Sequence, residues 1–124
     1  MRLSASVFLT ATILLIGAAM PAWADAARGS ALFKAQCGSC HKQDHNYVGP
    51  LLGGVFGRKA GAADRFAYSD ALKNSSLTWD APTLNKWLMS PAKLVSGTHM
   101  TMQVDAVTDR ADIIDYLKDL PVPE

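Results

Sequence analysis

The apolar positions form one unbroken run and three amphipathic stretches. The run is Val7 to Ala19 (VFLTATILLIGAA), and it carries no charge. In Ala27 to Cys37, Gly29, Phe33 and Cys37 recur at i, i+4 and i+8, which places them on one helical face beside Leu32. Asp80 is positioned to N-cap a second helix. Pro82 lies in its first turn, Leu84, Trp87 and Leu88 share a face, and Pro91 is its stop. Thr108 or Asp109 is positioned to cap a last helix to Leu120, with Ile113, Ile114, Tyr116, Leu117 and Leu120 on its apolar side and Pro121 and Pro123 ending it. Ser69 can cap one further turn through Lys73. Between these stretches lie loops marked by Gly49-Pro50, Gly53-Gly54, Gly57, Gly61 and Ser96-Gly97. No period-2 alternation and no internal repeat occurs. The pattern predicts an all-α domain of three to five short helices with long loops. Loops of that length suit a compact domain when they wrap a group that is not protein.

The first apolar run reads as an address. Met1-Arg2 is a short positive start, the run follows, and Ala22-Trp23-Ala24 offers small residues where a signal peptidase reads. We expect a signal peptide over residues 1–24, cleaved after Ala24, and a single domain over residues 25–124. The rival is an uncleaved anchor, but the run is short for a spanning helix and contains Thr10 and Thr12. Export to the periplasm follows, with no stable membrane insertion after cleavage. Arg2 is the only charged residue of the first 24, so their removal leaves 100 residues with 11 basic and 11 acidic side chains. A formally neutral domain lacks the electrostatic footprint of a nucleic-acid binder. It also has no bulk attraction to anionic lipid. Two cysteines rule out a multi-disulfide scaffold.

Those two cysteines carry the chemistry. Cys37-Gly38-Ser39-Cys40-His41 is C-x-x-C-H, the attachment pattern for a c-type haem. Two thiols three residues apart at the end of a helical turn can each add to one vinyl group of a porphyrin. The adjacent His41 can then reach the iron. Three rivals compete on the pentapeptide alone. A Cys37–Cys40 disulfide is possible in an oxidising compartment. A thioredoxin-type pair needs a βαβ context that the pattern does not supply. Zinc could take Cys37, Cys40, His41 and His45, although adjacent Cys40 and His41 are awkward ligands for one tetrahedral ion. A haem that carries electrons should have a second axial ligand, and methionine opposite histidine raises the potential. Met89, Met100 and Met102 remain after cleavage. Met89 sits in a helical run and reads as core packing. Met100 follows Ser96-Gly97-Thr98-His99 in an irregular loop and is the candidate ligand, with Met102 second.

With these residues in order, the sequence resembles class I cytochromes c, of the small bacterial kind similar to mitochondrial cytochrome c. The resemblance spans about residues 27 to 120. It rests on Gly29-x3-Phe33-x3-Cys37-x2-Cys40-His41, Gly49-Pro50-x-Leu52, Gly57-Arg58-Lys59-Ala60-Gly61, Phe66-Ala67-Tyr68-Ser69-Asp70-Ala71, Leu77-Thr78-Trp79, Pro91, Gly97-Thr98-x-Met100 and Arg110-Ala111-Asp112 with Tyr116-Leu117. It implies a cytochrome c fold around one covalent haem c. Cys37 and Cys40 would hold the group, with His41 and Met100 as axial ligands. The Pro50 carbonyl would accept the His41 ring N–H. Arg58, Tyr68, Trp79 and Thr98 would surround a buried propionate, which needs such donors. Gly29 and Phe33 would pack on the last helix at Ile113, Tyr116 and Leu117. The chain departs from the family pattern at several places. Ser96 replaces a usual Pro, His99 a common Lys, Trp87 a Tyr that hydrogen-bonds the Met sulfur, Leu72 an Asn, and Met102 a frequent Phe. His45 has no implied role and reads as a solvated loop residue.

The functional expectation is a monomeric one-electron carrier and not an enzyme, serving redox partner proteins between enzymes or respiratory complexes. A dedicated haem subunit or acceptor of a periplasmic dehydrogenase is the near alternative. A haem sensor with a labile distal ligand, suggested by Ser96 and His99, is the more distant one.

Overall fold

The helices form where the local caps and the apolar stripes coincide. The computed structural model describes residues 23–124. The apolar run at Val7–Ala19 and the signal-peptide reading built on it lie outside the described residues. Five helices follow one another: α1 (Ala26–Gln36), α2 (Asp70–Lys73), α3 (Ala81–Met89), α4 (Pro91–Leu94) and α5 (Val107–Lys118). Among the described residues there is no strand, and one isolated antiparallel bridge joins Lys59 to Thr78. The all-α reading with up to five short helices therefore describes residues 23–124.

Side-chain caps set three of the starts. Asp25 accepts from the backbone N–H groups of Ala27 and Arg28 and opens α1. Ser69 accepts from Leu72 N–H and opens α2, and Asp80 accepts from Thr83 N–H and opens α3. Each places an acceptor on donors that have no partner within the helix. The last helix differs from expectation. It starts at Val107 behind Ala106, with no side-chain cap. Thr108 and Asp109 therefore lie inside its first turn, and the Asp109 carboxylate pairs across the domain with Arg28 instead of capping. Pro91 does end the run before it, but it also begins α4, where its fixed φ and missing N–H suit a first helical position.

Helices α1 and α5 pack face to face. Gly29 makes this crossing possible. A Cβ there would fall on the Asp112 carbonyl oxygen and 2.9 Å from Tyr116 Cβ. One turn further on, the Phe33 and Tyr116 rings meet at 5.3 Å. The core runs from this crossing through Ile113 and Leu117 to Leu84, Trp87 and Leu88 of α3. Met89 is not part of it. That side chain is 48% exposed at the end of α3, so the core-packing reading of Met89 is corrected. The apolar stripe of α3 ends at Leu88.

One buried cation closes the far side. Arg110 is 6% exposed. It donates through Nε to Asn85 Oδ1 at 2.8 Å and through Nη1 to the carbonyls of Val104 and Asp105 at 2.7 Å each. This ties the segment after Met102 to α3 and α5. Hydrogen bonds to a charged group contribute about 1.5–3 kcal/mol each, and the stranded carbonyls would add their own desolvation cost. Arg110→Met should therefore lower stability by about 3 kcal/mol, read as a shift in the denaturant midpoint with little change in slope.

Candidate functional site

The end of α1 presents the two thiols. Cys37 is the C-cap of α1, with its N–H on the Phe33 carbonyl. The chain then turns tightly, and the Cys37 carbonyl accepts from both Cys40 N–H (3.0 Å) and His41 N–H (2.9 Å). Both thiols are free; Cys37 is buried and Cys40 exposed. Burial, and then the charge of Cys40, pushes the Cys37 thiol up to about 11. His45 faces away, exposed and paired with Asp44. No cluster of three or more His, Cys, Asp or Glu side chains able to hold a metal ion occurs among the described residues. The four-ligand zinc set is therefore not assembled.

His41 is fixed from two sides. Its Nδ1 lies 2.8 Å from the Pro50 carbonyl, which can only accept, so Nδ1 carries the proton. The Nε2 lone pair is left free. Burial is the main influence lowering the imidazole below its usual range; the nearby Arg58 charge adds to it and the bond to Pro50 opposes it. A neutral imidazole is the form that binds a metal. Gly49 lies against the ring, and a Cβ there would stand 2.7 Å from Nδ1.

A cavity of about 650 Å³ opens beside this ring. Cys37, Cys40, His41, Pro50, Arg58, Tyr68, Trp79, Thr98 and Met100 all line it, so the structure brings together the nine residues that the resemblance assigns to the haem. Leu52, Val55, Leu72, Leu84, Leu88, Ile113 and Leu117 supply apolar walls. Met102 lines it as well, two residues beyond Met100. Trp87 donates its indole N–H to the Met100 sulfur at 3.2 Å. Trp79 and Trp87 stack edge to face with centroids 5.1 Å apart, so the indole donor is itself held in place.

The polar residues divide. Tyr68 accepts from Ala63 N–H at 3.0 Å and leaves its own hydroxyl proton available. Arg58 donates through Nη2 to the Leu51 carbonyl (2.9 Å) and through Nη1 to that of Gly53 (3.3 Å). Its Nε is the one buried side-chain polar atom without a hydrogen-bond partner among the described residues. A buried guanidinium N–H with nothing to bond is costly, and an anionic oxygen would satisfy it.

The site therefore offers two free thiols at the helix end, a neutral imidazole with a free lone pair, a held thioether, dry walls and an unpartnered cationic donor. These fit an iron porphyrin with acidic side chains and vinyl groups. The comparisons agree. Residues 26–121 match the family model for cytochrome c. The chain belongs to the cytochrome c family. Cytochrome c of Euglena viridis is 44% identical over 99 residues, covering 77% of this chain and 97% of that protein. Cytochrome c2 of Rhodoblastus acidophilus is 49% identical over 86 residues, covering 66% and 80%. The solved structure of cytochrome cH from Methylobacterium extorquens superposes with a TM-score of 0.73 at 49% identity, covering 76% of this chain and 97% of that one. Like its relatives, this cytochrome c is an electron-transfer protein and not an enzyme, and it carries one covalent haem c. Proteins of this family transfer electrons to redox partners.

Sequence reasoning passed over two features of this neighbourhood. Gly49 gives the His41 ring its room, and Arg110 anchors the segment that follows Met102. The Gly49-Pro50 pair was visible as a turn, but a turn does not announce which ring it will face.

Proposed function

We propose that this cytochrome c is an exported, periplasmic one-electron carrier in which His41 and Met100 are the axial ligands. The observation that carries the reading is the shared cavity, in which the His41 ring is fixed by Pro50 and the Met100 sulfur by Trp87. When bound, the haem supplies a centre that takes up and releases one electron. The protein's part is to hold two neutral ligands in the same place in both oxidation states, so that little reorganisation accompanies transfer. Cys37 and Cys40 would hold the group covalently through their sulfur atoms. Leu72, Trp79 and Leu88 keep water out. Arg58 would receive a propionate on its free Nε, and Tyr68, Trp79 and Thr98 of the same cavity would supply further donors. Removal of residues 1–24 at export leaves a formally neutral domain, so docking should depend weakly on ionic strength.

Carbon monoxide tests the carrier against the sensor reading. The ferrous wild-type protein should bind none at neutral pH, because Met100 occupies the position. Rapid binding would overturn the assignment in favour of a labile distal ligand. The indole bond to the Met100 sulfur supports the carrier. Trp87→Phe keeps the aromatic bulk and removes the donor. A neutral hydrogen bond contributes about 0.5–1.5 kcal/mol, so the ferric sulfur-to-iron absorption band should be lost at a lower temperature in the variant while the fold persists. Equal thermal loss in both proteins would show that the indole N–H does not hold the sulfur.

A further inference from the structure

The first residue to join the fold is the one that the expected cut after Ala24 would leave at the N-terminus. Trp23 is 83% exposed and Ala24 is exposed, so the chain approaches through solvent. At Asp25 this changes. The Asp25 side chain caps α1, and its backbone nitrogen donates to Asp112 Oδ1 at 2.8 Å. The second oxygen of Asp112 takes the Arg28 guanidinium, whose other arm reaches Asp109. Asp112 is 6% exposed, and both of its carboxylate oxygens are used. Two independent lines thus meet at one bond. The Ala22-Trp23-Ala24 pattern places a cut after Ala24, and the fold begins at the nitrogen that this cut would free.

We infer that Asp112 is the receiving site for the α-ammonium group of Asp25, so that removal of the leader adds a charge to the clasp between α1 and α5. The inference rests on the export reading proposed above. Hydrolysis breaks the bond between the Ala24 carbonyl carbon and the Asp25 nitrogen. Water gives its hydroxyl to that carbon and a proton to the nitrogen, which takes one more from solvent at neutral pH. An amide that donated one hydrogen bond becomes a cation with three donors, and one of them is already directed at a buried carboxylate. Charge-assisted bonds of this kind are shorter and about twice as strong as neutral ones.

The surrounding charges favour the cation. The nitrogen meets the Asp112 carboxylate and lies beside that of Asp25 itself, with Asp109 beyond on the far arm of Arg28; against them stand the Arg28 guanidinium and the positive end of α1. The Asp112 carboxyl is held below its ordinary range, first by the Asp25 N–H and also by Arg28, while burial opposes. Its contribution to stability is therefore present above the usual carboxylate range and is lost as pH falls through the lowered value. The uncut chain offers Asp112 Oδ1 only a neutral amide beside the Arg28 pair on Oδ2, so the charged form of the clasp arises only on maturation.

The test uses the full chain, exported with its leader and purified with haem attached. Intact mass and N-terminal sequencing come first. A start at Asp25 is required, and any other start refutes the cut and the inference with it, leaving the carrier reading to its own test with carbon monoxide. The α-ammonium group is then titrated by NMR in the reduced protein. It should titrate above the ordinary range near 8 in the wild type and fall back to that range in Asp112→Asn. A second variant guards against misfolding of the first. One Ser inserted before Asp25 moves the ammonium outward by a residue and leaves Asp112 intact. Its terminus should titrate in the ordinary range, with a lower unfolding temperature. A terminus that titrates alike in the wild type and the insertion variant would overturn the proposal.

Discussion

If Met100 is the proposed ligand, Met100→Ala should lower the reduction potential by on the order of 0.2 V, within the ~0.8 V span that axial ligands set. The same variant binds carbon monoxide in its ferrous form. Both effects follow from one change. The thioether is a neutral, soft donor that favours the reduced metal, and its loss leaves water or nothing in its place. No other part of the site needs to move. His41 should keep its bond to Pro50, and Cys37 and Cys40 should still hold the group. Potentiometry and gas titration on the same preparation check the two effects together. Met102 is the control, because it lines the cavity two residues further on. Met102→Ala should leave carbon monoxide binding absent. If Met102→Ala and not Met100→Ala opens the site, the ligand assignment moves by two residues.

Gly29→Val should destabilise the fold away from the haem. Helix propensity favours it, since a glycine in a helix interior costs about 1 kcal/mol relative to alanine. Sterics oppose it and win. The added Cβ meets the backbone carbonyl of Asp112, which cannot rotate aside as a side chain could. The helices must separate, and α5 carries Ile113, 1% exposed, and Leu117 into the core. Overpacking commonly costs about 1–3 kcal/mol, and a backbone clash at the main helix crossing belongs at or above the top of that range. A net loss of about 2 kcal/mol lowers the unfolding temperature of a 100-residue domain by roughly 10 °C. Thermal unfolding followed by helical circular dichroism gives the figure. An unfolding temperature equal to that of the wild type would mean that α1 and α5 do not cross as closely as described.

The elements readable along the chain were those that local chemistry decides. Ser69 and Asp80 cap the helices they precede, and the stripe of Leu84, Trp87 and Leu88 faces the core. The start of α5 was misplaced by a local rule. Asp109 has the chemistry of a cap, but Arg28, 81 positions earlier, takes its carboxylate. The Arg28–Asp112 pair and the Arg110 network are long-range in the same sense and leave no periodic trace. Met89 was misjudged because helical spacing says which turn a residue is on, not where the apolar stripe ends. The site was more legible than the fold. The pentapeptide from Cys37 to His41 and the loop before Met100 are chemical signals, and the long loops between helices implied something to wrap. The arrangement of donors around that group was another matter. Neither the free Nε of Arg58 nor the room that Gly49 leaves for His41 is written in any spacing.

The most direct test is the optical spectrum of the purified, exported protein, oxidised and reduced, before and after acid–acetone extraction. We predict a c-type spectrum that survives extraction, with the weak ferric band of sulfur-to-iron ligation present in the wild type and absent in Met100→Ala. Haem that extracts freely would contradict attachment through Cys37 and Cys40. A ferric spectrum without the sulfur band would contradict the pairing of His41 with Met100 on which the carrier reading depends.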